Sequence, residues 1–294
     1  MAKKKDIIVG VIIGLSFLIF ILILLLGVSS LYTDRDIYFG GFGKKVAIID
    51  IFGVISSSDD VVRQLKKYRD DSSVPSIVLN IDSPGGGIAA SQEIFEEIKK
   101  VRQKGKKVVA SMRSVAASGG YYIACAADTI VANPGTITGS IGVIFEFPVA
   151  EKLFKKIGVE FEVVKSGEVK DMGTFTRPMT KKERELLQSV IDDAYYQFVD
   201  VLVKMRNLPE KEVLKIADGR IFTGSQAKKL GLIDVLGNFE DAIRIAGEMG
   251  GIEGPPKIIK ERKRKLTIFD LLTKNFSNLL SQENFAPKFE YIFK

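Results

Sequence analysis

From Ile7 to Tyr32 no residue is charged, and Ile, Leu, Val and Phe dominate. As a helix this run extends about 39 Å at 1.5 Å per residue, enough to span a hydrocarbon core of about 30 Å with some tilt. Lys3, Lys4 and Lys5 precede it and Asp34 and Asp36 follow it. The positive-inside rule then predicts a cytoplasmic N-terminus and an extracytoplasmic remainder. Small residues at Val28, Ser29 and Ser30 keep a cleaved signal peptide as the competing reading. The apolar run is longer than an ordinary signal-peptide core, so the expectation is an uncleaved single-pass anchor.

Beyond a short Gly-containing stretch (Gly40, Gly41, Gly43), apolar strand-like runs alternate with segments of helical period. Strands are predicted at 46–54, 76–81, 108–112, 129–132 and 160–164, and helices at 58–68, 88–103, after Ser118 and at 149–157. This alternation predicts an α/β architecture with a largely parallel sheet covered by helices. Runs such as VAIIDI and SIVLNI, apolar almost throughout, fit strands buried on both faces. The capping box Thr180-Lys-Lys-Glu183 announces a longer helix, with an apolar stripe at Leu187, Val190, Ile191, Ala194, Phe198, Leu202 and Met205 expected to pack on the sheet. A helix starting at Pro209, one over 225–231 closed by Gly231, and a last one over 239–249 complete the domain. After Gly250-Gly-Ile-Glu-Gly-Pro-Pro256 come a basic run, 257–265, and a helical repeat of Ile268, Leu272, Phe276, Leu279 and Leu280. That repeat suits a surface helix, a contact with a neighbouring subunit or a membrane-surface segment. The resulting division is a basic tip (1–6), an anchor (7–32), a linker (33–44), a folded domain (45–250) and a basic, amphipathic tail (251–294).

Composition narrows the chemistry. The 294 residues include no histidine, which removes Ser-His-Asp and Cys-His catalysis and the commonest zinc ligand. The single cysteine, Cys125, permits no internal disulfide and reads as a packed thiol without redox or metal function. The net charge of +7 is spread along the chain apart from clusters at its two ends. Neither cluster is interleaved with stacking aromatics, so no nucleic-acid partner is expected.

The candidate chemistry centres on Ser118, in Arg113-Ser-Val-Ala-Ala-Ser-Gly-Gly-Tyr-Tyr122. A strand-like run leads in and an Ala- and Tyr-rich run of helical composition leads out. Such a turn lifts a hydroxyl out of the chain and sets it before the unpaired N–H groups of a helix N-terminus. The G-x-S-x-G nucleophile elbow is matched in part, with Ala116 in place of its first glycine. On these residues alone Ser118 is either a helix N-cap or a nucleophile. Asp82-Ser-Pro-Gly-Gly-Gly-Ile88 lies where a strand gives way to a helix, the place where open α/β sheets bind ligands. Its spacing is wrong for a phosphate loop and suits one half of an oxyanion hole.

DSPGGG, then SVAASGGYYIA, ANPGTITGSIG (132–142), KSGEVKDMG (165–173) and KIADGRIFTGSQAKKLGLID (215–234), taken in order and spacing, closely resemble the signal peptide peptidase A family. The resemblance covers roughly 45–250. It implies a ClpP/crotonase-like fold of repeated ββα-type units and a membrane-bound serine endopeptidase with a Ser-Lys dyad. By the motif match Ser118 is the nucleophile, Lys170 the general base, Ser140 the residue that orients the lysine amine, and Gly86 and Gly119 the oxyanion donors, with Lys165 in reserve. It further implies peptide substrates, signal-peptide remnants among them, a homo-oligomeric ring or dome, and no cofactor or metal. Lysine ionises near pH 10.4, so Lys170 must be desolvated to act as a base, and the flanking carboxylates Glu168 and Asp171 are expected to point away from it. The rival readings are a crotonase-type acyl-CoA enzyme, which the extracytoplasmic address disfavours, and a catalytically silent membrane scaffold of the same fold.

Overall fold

The computed structural model describes residues 4–31, 37–39, 43–261 and 288–292. The first helix, α1 (Lys4–Leu31), covers the uncharged run as far as Leu31, and the side chains described in it, Val9 and those of 12–24, are exposed. Among the described residues no helix is long and apolar enough to cross a membrane.

The chain then alternates strand and helix. The elements are β1 (Ile37–Phe39), β2 (Lys45–Phe52), α2 (Asp59–Asp70), β3 (Ser76–Ser83), β4 (Gly85–Gly87), α3 (Ile88–Gln103), β5 (Lys107–Ala117), α4 (Gly119–Ala124) and β6 (Thr129–Ala132). After β7 (Ile137–Gly139) and β8 (Ile144–Glu146) come α5 (Glu151–Lys156), α6 (Lys181–Arg206), α7 (Glu210–Ile216), β9 (Ile221–Thr223), α8 (Gly224–Lys229), β10 (Val235–Leu236), α9 (Phe239–Met249), β11 (Lys257–Lys260) and β12 (Lys288–Ile292). The main sheet runs β1-β11-β2-β3-β5-β6-β10, with β7 joining the end of β5 and β9 pairing β7. Its centre, β11-β2-β3-β5-β6-β10, is parallel throughout.

The expected burial on both faces is visible residue by residue. Ala47, Ile49 and Ile51 of β2, Ile77, Leu79 and Ile81 of β3, and Val108, Ala110 and Met112 of β5 face one core, under α2, α3, α4 and the C-terminal half of α6. The alternate residues Val46, Ile48, Val78, Val109 and Val131 face a second core, closed by Ala242, Ile243 and Ala246 of α9. Period-two alternation sends neighbours to opposite faces, so a strand covered on both sides needs apolar residues at nearly every position. The result is a mixed α/β fold.

Several expectations need correction. Residues 160–163 alternate charged and apolar side chains, yet 160–164 form no strand: 159–165 have no regular secondary structure, and none of the described strands pairs with them. The helix expected at 149–157 is confined to α5 and buries none of its residues. The stripe of α6 packs from Ala194 onward, while Val190 stays 49% exposed and the first turns project from the core. Together with Leu153, Ile157, Phe161, Val163 and Phe175, all exposed, these residues form an exposed apolar arm in which the rings of Phe154, Phe161 and Phe175 meet. Lys257–Lys260, assigned to the tail on sequence, is a strand of the main sheet beside β2, tied to it by Lys260 Nζ on Asp50 at 2.7 Å. Ile37–Phe39, assigned to the linker, pairs antiparallel with it. The repeat Ile268 to Leu280 lies outside the described residues. Beyond it β12 pairs antiparallel with the glycine strand β4 on one side and with β8 on the other.

Candidate active site

Ser118 is the hinge between β5 and α4, with φ +52° and ψ −117°. A non-glycine residue at positive φ costs roughly 1–3 kcal/mol and survives only where its surroundings fix it. Here the Ser118 N–H donates to Gly139 O at 2.8 Å, and the Tyr122 N–H donates to Ser118 O at 2.8 Å. The hydroxyl does not cap α4, which sets aside the N-cap reading. It is instead buried, the residue being 1% exposed, and Oγ has no hydrogen-bond partner among the described residues. Buried hydroxyls are ordinarily bonded, so an orphan in a strained turn marks a group held ready for another molecule.

The glycine strand β4 stands beside this turn, against α4. Ile55 clasps one of its edges: Ile55 N–H donates to Gly85 O at 2.9 Å and Gly87 N–H donates to Ile55 O at 2.8 Å. Backbone groups alternate in direction along a strand, so the Gly86 N–H points away from Ile55, to the edge along which β12 lies. The approach is too close for any side chain, since a Cβ on Gly86 would sit 2.3 Å from Ile55 O. Gly119 opens α4, and its N–H is one of those that no helix carbonyl reaches. Gly119 directly follows Ser118, and Gly86 lies in the strand that packs against α4. Ile55, a single isoleucine in a loop, carries no signal of its clasping role in the sequence.

Ser140 is brought to the same place. Ala117 of β5 and Gly139 of β7 are register partners, so Ser118 and Ser140 each follow directly on a paired residue. Ser140 also has positive φ, +50°, held by its N–H donating to Arg220 O at 2.8 Å. Gly139 before it has φ +82°, and a Cβ there would meet the Phe222 ring at 2.6 Å. Ser140 opens onto a cavity of about 560 Å³ lined also by Asp192, Tyr195 and Asp218.

Lys170 is not brought in. It is exposed, in a series of turns on the projecting arm, where its N–H donates to Gly167 O at 3.2 Å. Its amine does not reach Ser118 Oγ within the chain, since that oxygen has no partner. Lys165, the reserve candidate, is committed elsewhere: its amine donates to Glu168 O at 2.7 Å and to the Asp171 carboxylate. Glu168 pairs with Lys182, and Asp171 also binds Arg177, so neither flanking carboxylate pairs with Lys170. Arg177 carries no signal in the sequence, because it follows the lysine motif with no spacing rule to join them, and its buried partner Glu183 is legible there only as the end of a capping box. Cys125 is core, its thiol pushed up to about 12 by burial, which leaves it unreactive.

The family model Peptidase family S49 matches residues 100–252, and the Clp protease model matches 44–135. A Synechocystis sp. protein named as a protease is 45% identical over 216 residues, covering 73% of this chain and 77% of the relative. An Enterococcus faecium protein assigned by name to signal peptide peptidase SppA is 34% identical over 275 residues, covering 83% of this chain and 80% of the relative. Protease 4 of Haemophilus influenzae is 36% identical over 215 residues, 70% of this chain but 35% of that longer protein. The acyl-CoA reading is thereby displaced: with its orphaned serine on a strained strand-to-helix turn, the chain belongs to peptidase family S49, the serine peptidases that include signal peptide peptidase A.

Proposed function

We propose that this serine peptidase cleaves extended hydrophobic peptides, signal-peptide remnants among them, with Ser118 as nucleophile and Lys170 of a neighbouring copy as general base. The observation that carries the reading is the buried, unpartnered Oγ of Ser118 in a chain whose only motif-matched base stands exposed on an apolar arm. An arm exposing Leu153, Ile157, Phe161 and Val163 is stabilised by covering it, and a second copy of the chain supplies the cover. Docking against that copy also removes water from Lys170, which disfavours the ammonium and frees the amine.

In the reaction, Ser118 Oγ bonds to the scissile carbonyl carbon while its proton passes to Lys170 Nζ. The oxyanion is held by the N–H groups of Gly86 and Gly119, and the Ser140 hydroxyl orients the lysine amine. The C–N bond then breaks as Lys170 returns the proton to the leaving amine. Water, deprotonated by the same lysine, hydrolyses the ester and restores Ser118. An extended substrate is supported by β12, a peptide strand lying antiparallel along Gly85–Gly87. Such pairing recognises backbone, and selectivity is left to the pockets that receive alternate side chains. The sequence supports a single anchor that leaves the catalytic domain outside the membrane: lysines precede a run from Ile7 to Tyr32 that carries no charge.

Covalent labelling tests the chemistry. A peptidyl phosphonate should modify Ser118 stoichiometrically in the full chain, and Lys170→Ala should abolish the reaction while leaving the protein folded. Unlabelled, folded parent protein would sink the proposal. Because β12 occupies the edge a substrate needs, ending the chain after Glu261 is expected to raise the labelling rate several-fold. An unchanged or lower rate would show that β12 does not compete with substrate.

A further inference from the structure

Lys170 stands between two carboxylates in sequence, Glu168 two residues before it and Asp171 directly after it. A carboxylate within about 4–6 Å stabilises an ammonium and weakens it as a base. The structure commits both to other cations. Glu168 is paired with Lys182 on α6. Asp171 receives the Lys165 amine and the Arg177 guanidinium, with Nε to Oδ2 at 3.2 Å and Nη2 to Oδ1 at 2.9 Å.

Arg177 is itself fixed from behind. Its Nη1 donates to Glu183 Oε2 at 2.9 Å and its Nη2 to Glu183 Oε1 at 2.6 Å, a bidentate pair. Glu183 is 1% exposed and accepts the Thr180 N–H at 2.8 Å, closing the capping box of α6. One guanidinium therefore joins the first turn of a long helix to the carboxylate beside the lysine. The remaining charges on that turn of α6 are Lys181 and Glu185, which pair with each other at 3.8 Å, and Arg184. The hydrogen bonds from Lys165 and Arg177 hold the Asp171 carboxyl below its usual range, and Arg177 pushes Glu183 down to about 2.

We propose that Arg177, braced by buried Glu183, is a positioning residue for Lys170: it holds the Asp171 carboxylate so that it cannot become the counter-ion of the neighbouring amine. The inference rests on the reading of Lys170 as general base, and it assigns a role to a residue outside every motif that led to that reading. Without Arg177 the carboxylate is held by the Lys165 amine alone, its other oxygen can turn toward the adjacent amine, and that amine keeps its proton to higher pH.

The experiment is the pH dependence of kcat/KM on a peptide substrate for the full-length assembled protein. In Arg177→Gln the acid limb is expected to move up by about one pH unit, lowering kcat/KM about tenfold on that limb with KM nearly unchanged. In Arg177→Gln/Asp171→Asn the limb should return to the parent position, because the carboxylate that Arg177 restrained is gone. Arg177→Lys should shift it by less than Arg177→Gln. A limb that stays put in a folded Arg177→Gln protein, or that the second substitution does not restore, overturns the proposal. If Arg177→Gln does not fold, Asp171→Asn alone decides: a limb at or below the parent position supports the proposal, and one that rises overturns it. Lys170→Ala, measured beside these, separates the two readings. Retained activity there refutes the lysine as base, whereas loss of activity with an unmoved Arg177→Gln limb refutes only the role of Arg177.

Discussion

Ser118→Ala and Lys170→Ala proteins, each inactive alone, are expected to regain peptidase activity when mixed and allowed to exchange subunits. Each substitution removes one member of a pair that works as a unit, so each should lower kcat/KM by roughly 10⁴-fold or more. Within one chain Ser118 Oγ has no partner, and Lys170 lies exposed on an arm whose apolar side chains are uncovered. If a neighbour's lysine completes the site, a mixed assembly contains interfaces where an intact Ser118 of one subunit meets an intact Lys170 of the next. For random mixing at equal amounts, roughly one quarter of the sites are whole in a head-to-tail ring. Peptide hydrolysis by the mixture, followed against time of subunit exchange, measures this. Activity staying at the level of the separate variants, under conditions where tagged parent subunits demonstrably exchange, would show that serine and lysine belong to the same chain.

Gly86→Ala carries the next largest expected effect, on stability and chemistry together. The new Cβ would lie 2.3 Å from Ile55 O, 2.6 Å from Ile55 N and 2.7 Å from Ile55 C. These are backbone atoms held by the bonds between Ile55 and β4, so no rotamer change relieves the clash. Overpacking of this kind costs about 1–3 kcal/mol. The same shift drags the Gly86 N–H from its aim, and loss of one oxyanion donor lowers the rate by about 10²–10³-fold. Thermal unfolding reads the first effect and the phosphonate labelling rate of Ser118 reads the second. Parent-like labelling by the variant would show that Gly86 is not a donor and that β4 tolerates displacement.

Much of the fold is legible in the chain because its causes are local. The central strands are continuous apolar runs since both faces are covered, and the Val46/Ala47 and Val78/Leu79 pairs divide between the two cores. The capping box at Thr180 and Glu183 forms as its residue types require, with Glu183 N–H donating to Thr180 Oγ at 3.2 Å. Residues 160–164 show where local pattern fails. The alternation from Glu160 to Val163 suits a strand, but a strand is completed by an edge to pair with, and none of the described strands pairs with this segment. Lys257–Lys260 is the converse: a basic tetrapeptide that looked like tail becomes a strand because the edge of β2 is open to it.

The sequence by itself determined the kind of chemistry, through the absence of histidine and the order of its serine, glycine and lysine motifs, because residue type and spacing are properties of the chain. Only the tertiary structure decided the state of those groups. It holds Ser118 Oγ buried and without a partner among the described residues, sets Ser140 beside it through the pairing of Ala117 with Gly139, leaves Lys170 outside, and pairs Asp171 with Lys165 and with Arg177, which Glu183 holds from behind. Burial, hydrogen-bond partnership and charge pairing depend on which atoms meet across tens of residues, and that meeting is fixed by packing.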